Sequence, residues 1–394
     1  MAIIKPLKAI RPQEKNFAEE ISSPPYDIVS RPEASSILSN NPFSFLSVTR
    51  SDVYFDNDKI YSNEVYSRAK SNFEDFLRKK LLFLDEEKSF YLYQITTESK
   101  TQIGITGLFS TEEYRCNKIL KHELTRKIKE ADRTNHIKTT SVQTGQVYLM
   151  HTHSELIVKL KKDILKQSKL LYDFYDENNI NHKIFKIETK RNSSIENAFS
   201  KIKHLYIVDG HHRAAAALNS GCKYFLATAF SSLELHTGCC NRLLLDPANI
   251  NEITFLNKLT NYFDVKISDE FNPNGLSMFL TNRWYDLRLK IYPGNATVNH
   301  VDSYIIQKFI FEKIFGINNP TETDRIEYIR NTKPKEYFEK KVLTKHAFAA
   351  FLLKPPTIEN IIDIALEGDV MPPKSTWFWP KMRDGLIIYN LTID

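Results

Sequence analysis

The chain has 394 residues, 42% hydrophobic and 12% aromatic, with a net charge of +6. That is ample apolar material for two or three cored domains, and so mild a charge, carried by lysines interleaved with acids, argues against a dedicated nucleic-acid surface. No run approaches the eighteen or so uncharged apolar residues of a membrane span, and "MAIIKPLKAIRP" lacks the apolar core and cleavage site of a secretory leader, so a cytoplasmic protein is expected. Cys116, Cys222, Cys239 and Cys240 make no C-x-x-C pair and read as small buried residues rather than a redox or zinc centre.

In chain order, "SSPPYDIVS" (22–30) is a rigid, Pro-pinned loop, and "NEVYSRAKSNFEDFLRKKLLF" (63–83) carries apolar residues at helical intervals. "SFYLYQIT" (89–96) and "QIGITGLFS" (102–110) read as paired strands, which makes residues 1–112 an N-terminal α+β domain. Residues 113–247 hold the chemically dense region: "KHELTR" (121–126), a lysine-rich helix at 159–170, a variable-looking segment at 175–194, and a helix from about Ile195. Residues 248–394 read as mainly helical, with "VDSYIIQKFIFEKIFGI" (301–317) strongly amphipathic and a Pro-rich loop leading into a final strand. The overall class is α+β, mixed α/β, with soft boundaries near 112 and 247 and no internal repeat.

The most informative stretch is "HLYIVDGHHR" (204–213), followed at once by "AAAALNSG". Leu205–Val208 reads as a buried strand and His211–Ser220 as a helix, with Gly221 placed as its C-cap. The polar cluster then occupies a strand-to-helix turn, where free backbone N–H groups and the helix dipole favour an anion. Gly210 lets a phosphate approach the backbone, Arg213 offers a planar fork to its oxygens, and His211 and His212 add donors. A plainer reading stands beside it: Asp209 as the helix N-cap, with both histidines on the surface. A metal on the histidines is disfavoured, since adjacent helix residues diverge by about 100° and no third ligand is near in sequence.

The chain resembles a bacterial family catalogued as a domain of unknown function and likened to SerK, the free-serine kinase. The marks are "SPPYD" (23–27), "NPFSFL" (41–46), "KHELTR", "QTGQVYL" (143–149), "VDGHHRAAAA" (208–217), "NRLLLD" (241–246) and "MPPKSTWFWPKMRDGL" (371–386). The resemblance implies that 113–247 is a ParB/sulfiredoxin-like nucleotide-binding domain whose Gly-x-x-Arg turn, here Gly210-His211-His212-Arg213, holds phosphates. Sulfiredoxins resemble it with a cysteine where this chain has His211, so their thiol chemistry is not expected.

By the same resemblance, Glu123 is the catalytic carboxylate that accepts or orients the hydroxyl proton of serine; Asp209, one residue before the turn, is placed to hold Mg²⁺ directly or through water. The donor would be ATP or ADP. Candidates for the ammonium and carboxylate of the amino acid are His122, Thr125, Arg126, Asn241, Arg242 and Lys374, with Ser375 and Thr376 beside the last. Arg242 has an inter-domain salt bridge as its competing role. Tyr26 and Asp27 form a stiff turn that can line the same cleft. The expected function is phosphorylation of free L-serine or a close analogue to O-phosphoserine. The alternatives are a ParB-like nucleotide-binding clamp or regulator without kinase activity, and a non-enzymatic scaffold. The sequence does not fix the oligomeric state.

Overall fold

A computed structural model describes residues 2–320 and 323–393. The described chain is mixed α/β and divides into two compact units: Met1–Lys121, Thr125–Leu235 and Pro380–Asp394 form the first, His122–Leu124 and His236–Trp379 the second.

The first unit is built on a nine-stranded mixed sheet. Its strands run in the order Ile119–Leu120, Leu205–Asp209, Val147–His151, Tyr224–Ser231, Thr101–Ser110, Tyr91–Thr96, Asn181–Lys186 and Lys169–Tyr175, with Ile4–Lys5 added to the edge of Thr101–Ser110. The pairs Leu205–Asp209 with Ile119–Leu120 and Tyr224–Ser231 with Val147–His151 are parallel. Continuous apolar runs such as Val147–Met150 and Leu205–Val208 suit strands covered on both faces, and all are buried. The helix His211–Asn219 packs against the strand Tyr224–Ser231 and the helix Lys127–Thr140. Ala214 and Ala217 of this helix are fully buried in the main core, where their small side chains allow close approach to the sheet.

A four-stranded sheet in the same unit joins Leu82–Leu84, Ala9–Pro12, Ile388–Asn390 and Val142–Gln143. Ile10 pairs with Ile388 and Tyr389 with Gln143, so the chain end is stitched into this unit and carries Lys381, Arg383 and Asp384 with it.

The expected strands Tyr91–Thr96 and Thr101–Ser110 pair antiparallel, and the helix expected near 63 runs Asn63–Arg78. The variable-looking segment instead contributes the strand Asn181–Lys186, paired along its length with Tyr91–Thr96. The second unit also departs from expectation. Residues read as mainly helical form most of a six-stranded antiparallel sheet, ordered Phe263–Ser268, Arg283–Leu289, Leu276–Leu280, Ala349–Leu352, Cys240–Leu244 and Ile326–Arg330. These strands are four to seven residues long. Strands this short give helical periodicity and strand alternation little to separate them. The amphipathic segment begins as an α-helix at Asp302–Ile305 and continues as a π-helix over Ile306–Glu312.

Candidate functional site

The strand-turn-helix forms as the sequence suggests, with one refinement. The strand ends at Asp209, and Gly210 is the helix N-cap in the left-handed region at φ +86°, so Asp209 is not the cap. A Cβ on Gly210 would meet the Val147 Cα at 3.3 Å, a second reason for glycine there. Between Ile207 and Asp209 the register against Val147–His151 slips by one residue, so Val208 and Asp209 share one partner position. Such a bulge re-aims the side chain at the strand end.

Asp209 meets Lys381 through Oδ1 at 2.8 Å and the Nη2 of Arg213 through Oδ2 at 3.5 Å. Burial alone would raise its carboxyl, but Lys381 and then Arg213 outweigh it and hold it well below the usual carboxylate range. Lys381 is 93% buried by its 7% exposure, an unusual place for a lysine without such a partner. Arg213 donates from Nη1 to the Gln146 carbonyl, and its Nη2 lies 3.5 Å from Asp27 Oδ1. Burial works against its charge, yet Asp27, Asp384 and Asp209 together raise its pKa. Its Nε and Nη2 are buried without a hydrogen-bond partner, because the carboxylates stand at ion-pair rather than hydrogen-bond distance. Two donors of a permanently charged group are thus in reserve beside a helix N-terminus.

Tyr26 is buried under this guanidinium, with the Arg133 carbon 4.2 Å and the Arg213 carbon 5.9 Å from its ring centre. A cavity of about 30 Å³ lies here, lined by Tyr26, Arg133, His136, Gly145, Arg213 and Asp384 among others. That exceeds the roughly 10–15 Å³ a single water needs. His136 donates from Nε2 to the Val48 carbonyl at 3.0 Å, and burial lowers its pKa to about 4. His211 is buried, while the Nε2 of His212 accepts the Arg126 backbone N–H at 3.0 Å, which leaves its proton on Nδ1. Thr125 donates to Glu130, and Arg126 is the exposed N-cap of the helix Lys127–Thr140.

The remaining candidates gather in the second unit. Glu123 forms a parallel bridge with Met371, whose N–H donates to the His122 carbonyl at 2.8 Å. His122 is buried and its Nε2 lies 3.1 Å from Thr376 Oγ1. Arg242, also buried, spends Nη2 on the carbonyls of Pro373 and Lys374, each at 3.2 Å, and Nη1 on that of Cys240. Its carbon lies 4.4 Å from the Tyr328 ring centre. Burial lowers the pKa of Arg242, opposed by several neighbours that include Tyr328 and Glu123. Arg242 is therefore a strut inside its own unit that holds the Pro373-Lys374 loop, where Lys374 takes a left-handed φ of +61°. Asn241 accepts the Leu353 backbone N–H at 3.0 Å and is equally engaged.

So "HEL" (122–124), "NR" and "MPPKST" fall in one unit, and "SPPYD", "QTGQ", "VDGHHR" and "KMRDG" in the other. Sequence reasoning missed Lys381 and Asp384. Both lie inside the quoted C-terminal signature, whose compositional oddity was the available signal, but nothing local marks them as partners of the turn. Among the described residues no group of three His, Cys, Asp or Glu could hold a metal. Both oxygens of Asp209 face cations, Oδ1 Lys381 and Oδ2 Arg213.

The profile of the family described as "Protein of unknown function (DUF1015)" matches residues 4–305. The chain belongs to this family. No curated protein matches it. Solved structures similar to this family member include a free serine kinase in complex with AMP, at 14% identity, covering 72% of this chain and 91% of that one with a TM-score of 0.41. SbnI with C-terminal truncation from Staphylococcus aureus has 10% identity, 73% and 88% coverage and a TM-score of 0.42. A conserved hypothetical protein from Pyrococcus furiosus has 12% identity, 73% and 96% coverage and a TM-score of 0.40. Among the described residues no helix is long and apolar enough to cross a membrane.

Proposed function

We propose that the protein is a nucleotide-dependent kinase that transfers a phosphoryl group from ATP or ADP to the hydroxyl of free L-serine or a close analogue, giving O-phosphoserine. The observation that carries the reading is Arg213: its buried Nε and Nη2 have no hydrogen-bond partner and stand at a glycine-capped helix N-terminus. The turn Gly210-His211-His212-Arg213 takes the donor phosphates, in the manner of a ParB/sulfiredoxin-like domain. Arg213 and Lys381 neutralise charge on the transferring oxygens, and Asp209 holds the two cations in place. Among the described residues no group of three His, Cys, Asp or Glu could cage Mg²⁺, which would come to the site with the nucleotide.

Glu123 acts on the acceptor. As the serine oxygen bonds to the terminal phosphorus, the proton passes to the Glu123 carboxylate and the donor leaves one phosphate shorter. Lys374, in its left-handed loop position braced by Arg242, is the group assigned to the carboxylate of the amino acid. The test separates binding from turnover. With Mg²⁺, L-serine and either nucleotide, mass spectrometry should find O-phosphoserine, and Glu123→Gln should cut its formation by about 10²–10⁴-fold with nucleotide affinity unchanged. Full turnover in that variant would remove Glu123 from the mechanism.

A further inference from the structure

We infer that Asp384, a buried carboxyl in the wall of the cavity that Arg213 also lines, takes up a proton when an anion arrives at the turn. This rests on the turn being the phosphate site proposed above.

Asp384 is held in the wall of the cavity that Arg213 also lines. Its backbone exchanges both hydrogen bonds with Ser23, at 2.9 and 3.1 Å. The preceding Arg383 is clamped as well: its N–H donates to the Tyr93 hydroxyl at 2.9 Å, and its guanidinium binds Ser22 and Glu177. The following Gly385 sits at φ +86°, where a Cβ would strike Phe45 at 2.8 Å. The carboxyl itself is pressed onto Gly145, where a Cβ would lie 2.6 Å from Oδ1. Asp384 is 3% exposed, and its Oδ2 has no hydrogen-bond partner.

The charged groups around it are Arg213 on the turn helix, Asp27 on the Pro-pinned loop and Arg133 on the helix Lys127–Thr140. Arg133 is shared with Asp132 at 2.9 Å. Tyr26 and His136 complete the lining of the small cavity; burial raises the Tyr26 phenol and lowers His136 to about 4, so both are neutral near pH 7. With Asp384 ionised, Arg213 faces the carboxylates of Asp27, Asp209 and Asp384 together. A phosphate drawn to Arg213 adds negative charge next to a carboxylate that is already buried, and in a poorly screened setting that repulsion is relieved by protonation. Burial pushes the Asp384 carboxyl up to about 7, with Arg213 opposing and Asp27 adding to the rise, so the proton is cheap to add near neutrality.

The sign follows. An anion that engages Arg213 weakens its hold on the Asp384 charge, so the carboxyl rises further and a proton is taken up. Affinity is then level below pH 7 and falls by up to about tenfold per pH unit above it. The neutral isostere Asp384→Asn resembles the protonated state, so it should bind the anion more tightly than wild type at high pH. A merely structural role predicts weaker binding instead.

The experiment is calorimetric titration of both proteins with ADP at pH 7 and pH 8.5, in buffers of differing ionisation enthalpy. The terminal phosphate of ADP titrates alike in both and cancels in the difference. The expected result is greater proton uptake by wild type, by up to about one proton, and about tenfold tighter binding by Asp384→Asn at pH 8.5. Equal proton counts, or weaker binding by the variant at both pH values, would overturn the inference. If neither protein binds ADP, the nucleotide reading fails separately, and inorganic sulfate, which does not titrate in this range, replaces it: proton uptake with sulfate supports the role of Asp384, and its absence overturns it. Should the variant not fold, the wild-type proton count with sulfate decides in the same way.

Discussion

Replacing Lys381 by methionine keeps most of the side-chain volume and removes the charge that meets Asp209 at 2.8 Å. Breaking a fully buried ion pair from one side costs about 3–5 kcal/mol. Here the Asp209 side chain is 23% exposed and keeps Arg213 at 3.5 Å, so a loss of about 2 kcal/mol is expected, or about 4–8 °C in melting temperature. Thermal melts of Lys381→Met, Asp209→Asn and the double variant form a cycle whose coupling energy should be about 1–2 kcal/mol. The pH dependence carries a sign. The carboxyl of Asp209 is depressed by Lys381 and Arg213 against the effect of burial, so its stabilisation stands above its unfolded value of about 3.9 and is lost as pH falls through the folded one. The gap between wild type and Lys381→Met should therefore stand at pH 7 and narrow below about pH 4. A coupling energy near zero, or a gap indifferent to pH, would refute the electrostatic account of the turn.

Arg213→Ala should weaken ADP binding by about 100-fold or more in calorimetry, since it removes charge-assisted donors that no neighbour replaces. Gly210→Ala forces a Cβ into the left-handed region at φ +86° and to 3.3 Å from Val147 Cα, so urea unfolding should show a loss of about 1–3 kcal/mol.

The strand-turn-helix was legible because its signals are local: an apolar run, a glycine, an alanine-rich helix and a terminal glycine, although the C-cap is Ser220 and Gly221, at φ +77°, follows it. The bulge at Val208–Asp209 was not, because register is a property of a partner strand and the turn sequence does not contain it. Lys381 and Asp384 became partners of the turn through the pairing of Ile388–Asn390 with Ala9–Pro12, a long-range event no spacing rule reports. The sheet of the second unit was hidden for another reason. Phe263–Ser268 has one buried residue in six, while Leu276–Leu280 is buried throughout, so neither alternates. Arg242 shows the limit of residue type as a guide: an arginine that reads as a carboxylate ligand proves to be tied to three backbone carbonyls.

The central claim is tested most directly by phosphorus NMR of the purified protein with Mg²⁺ and L-serine, run once with ATP and once with ADP. The account predicts a new phosphomonoester resonance that requires serine and is lost in Glu123→Gln, with the productive nucleotide naming the donor. Nucleotide binding with no new resonance from either donor would contradict the kinase assignment.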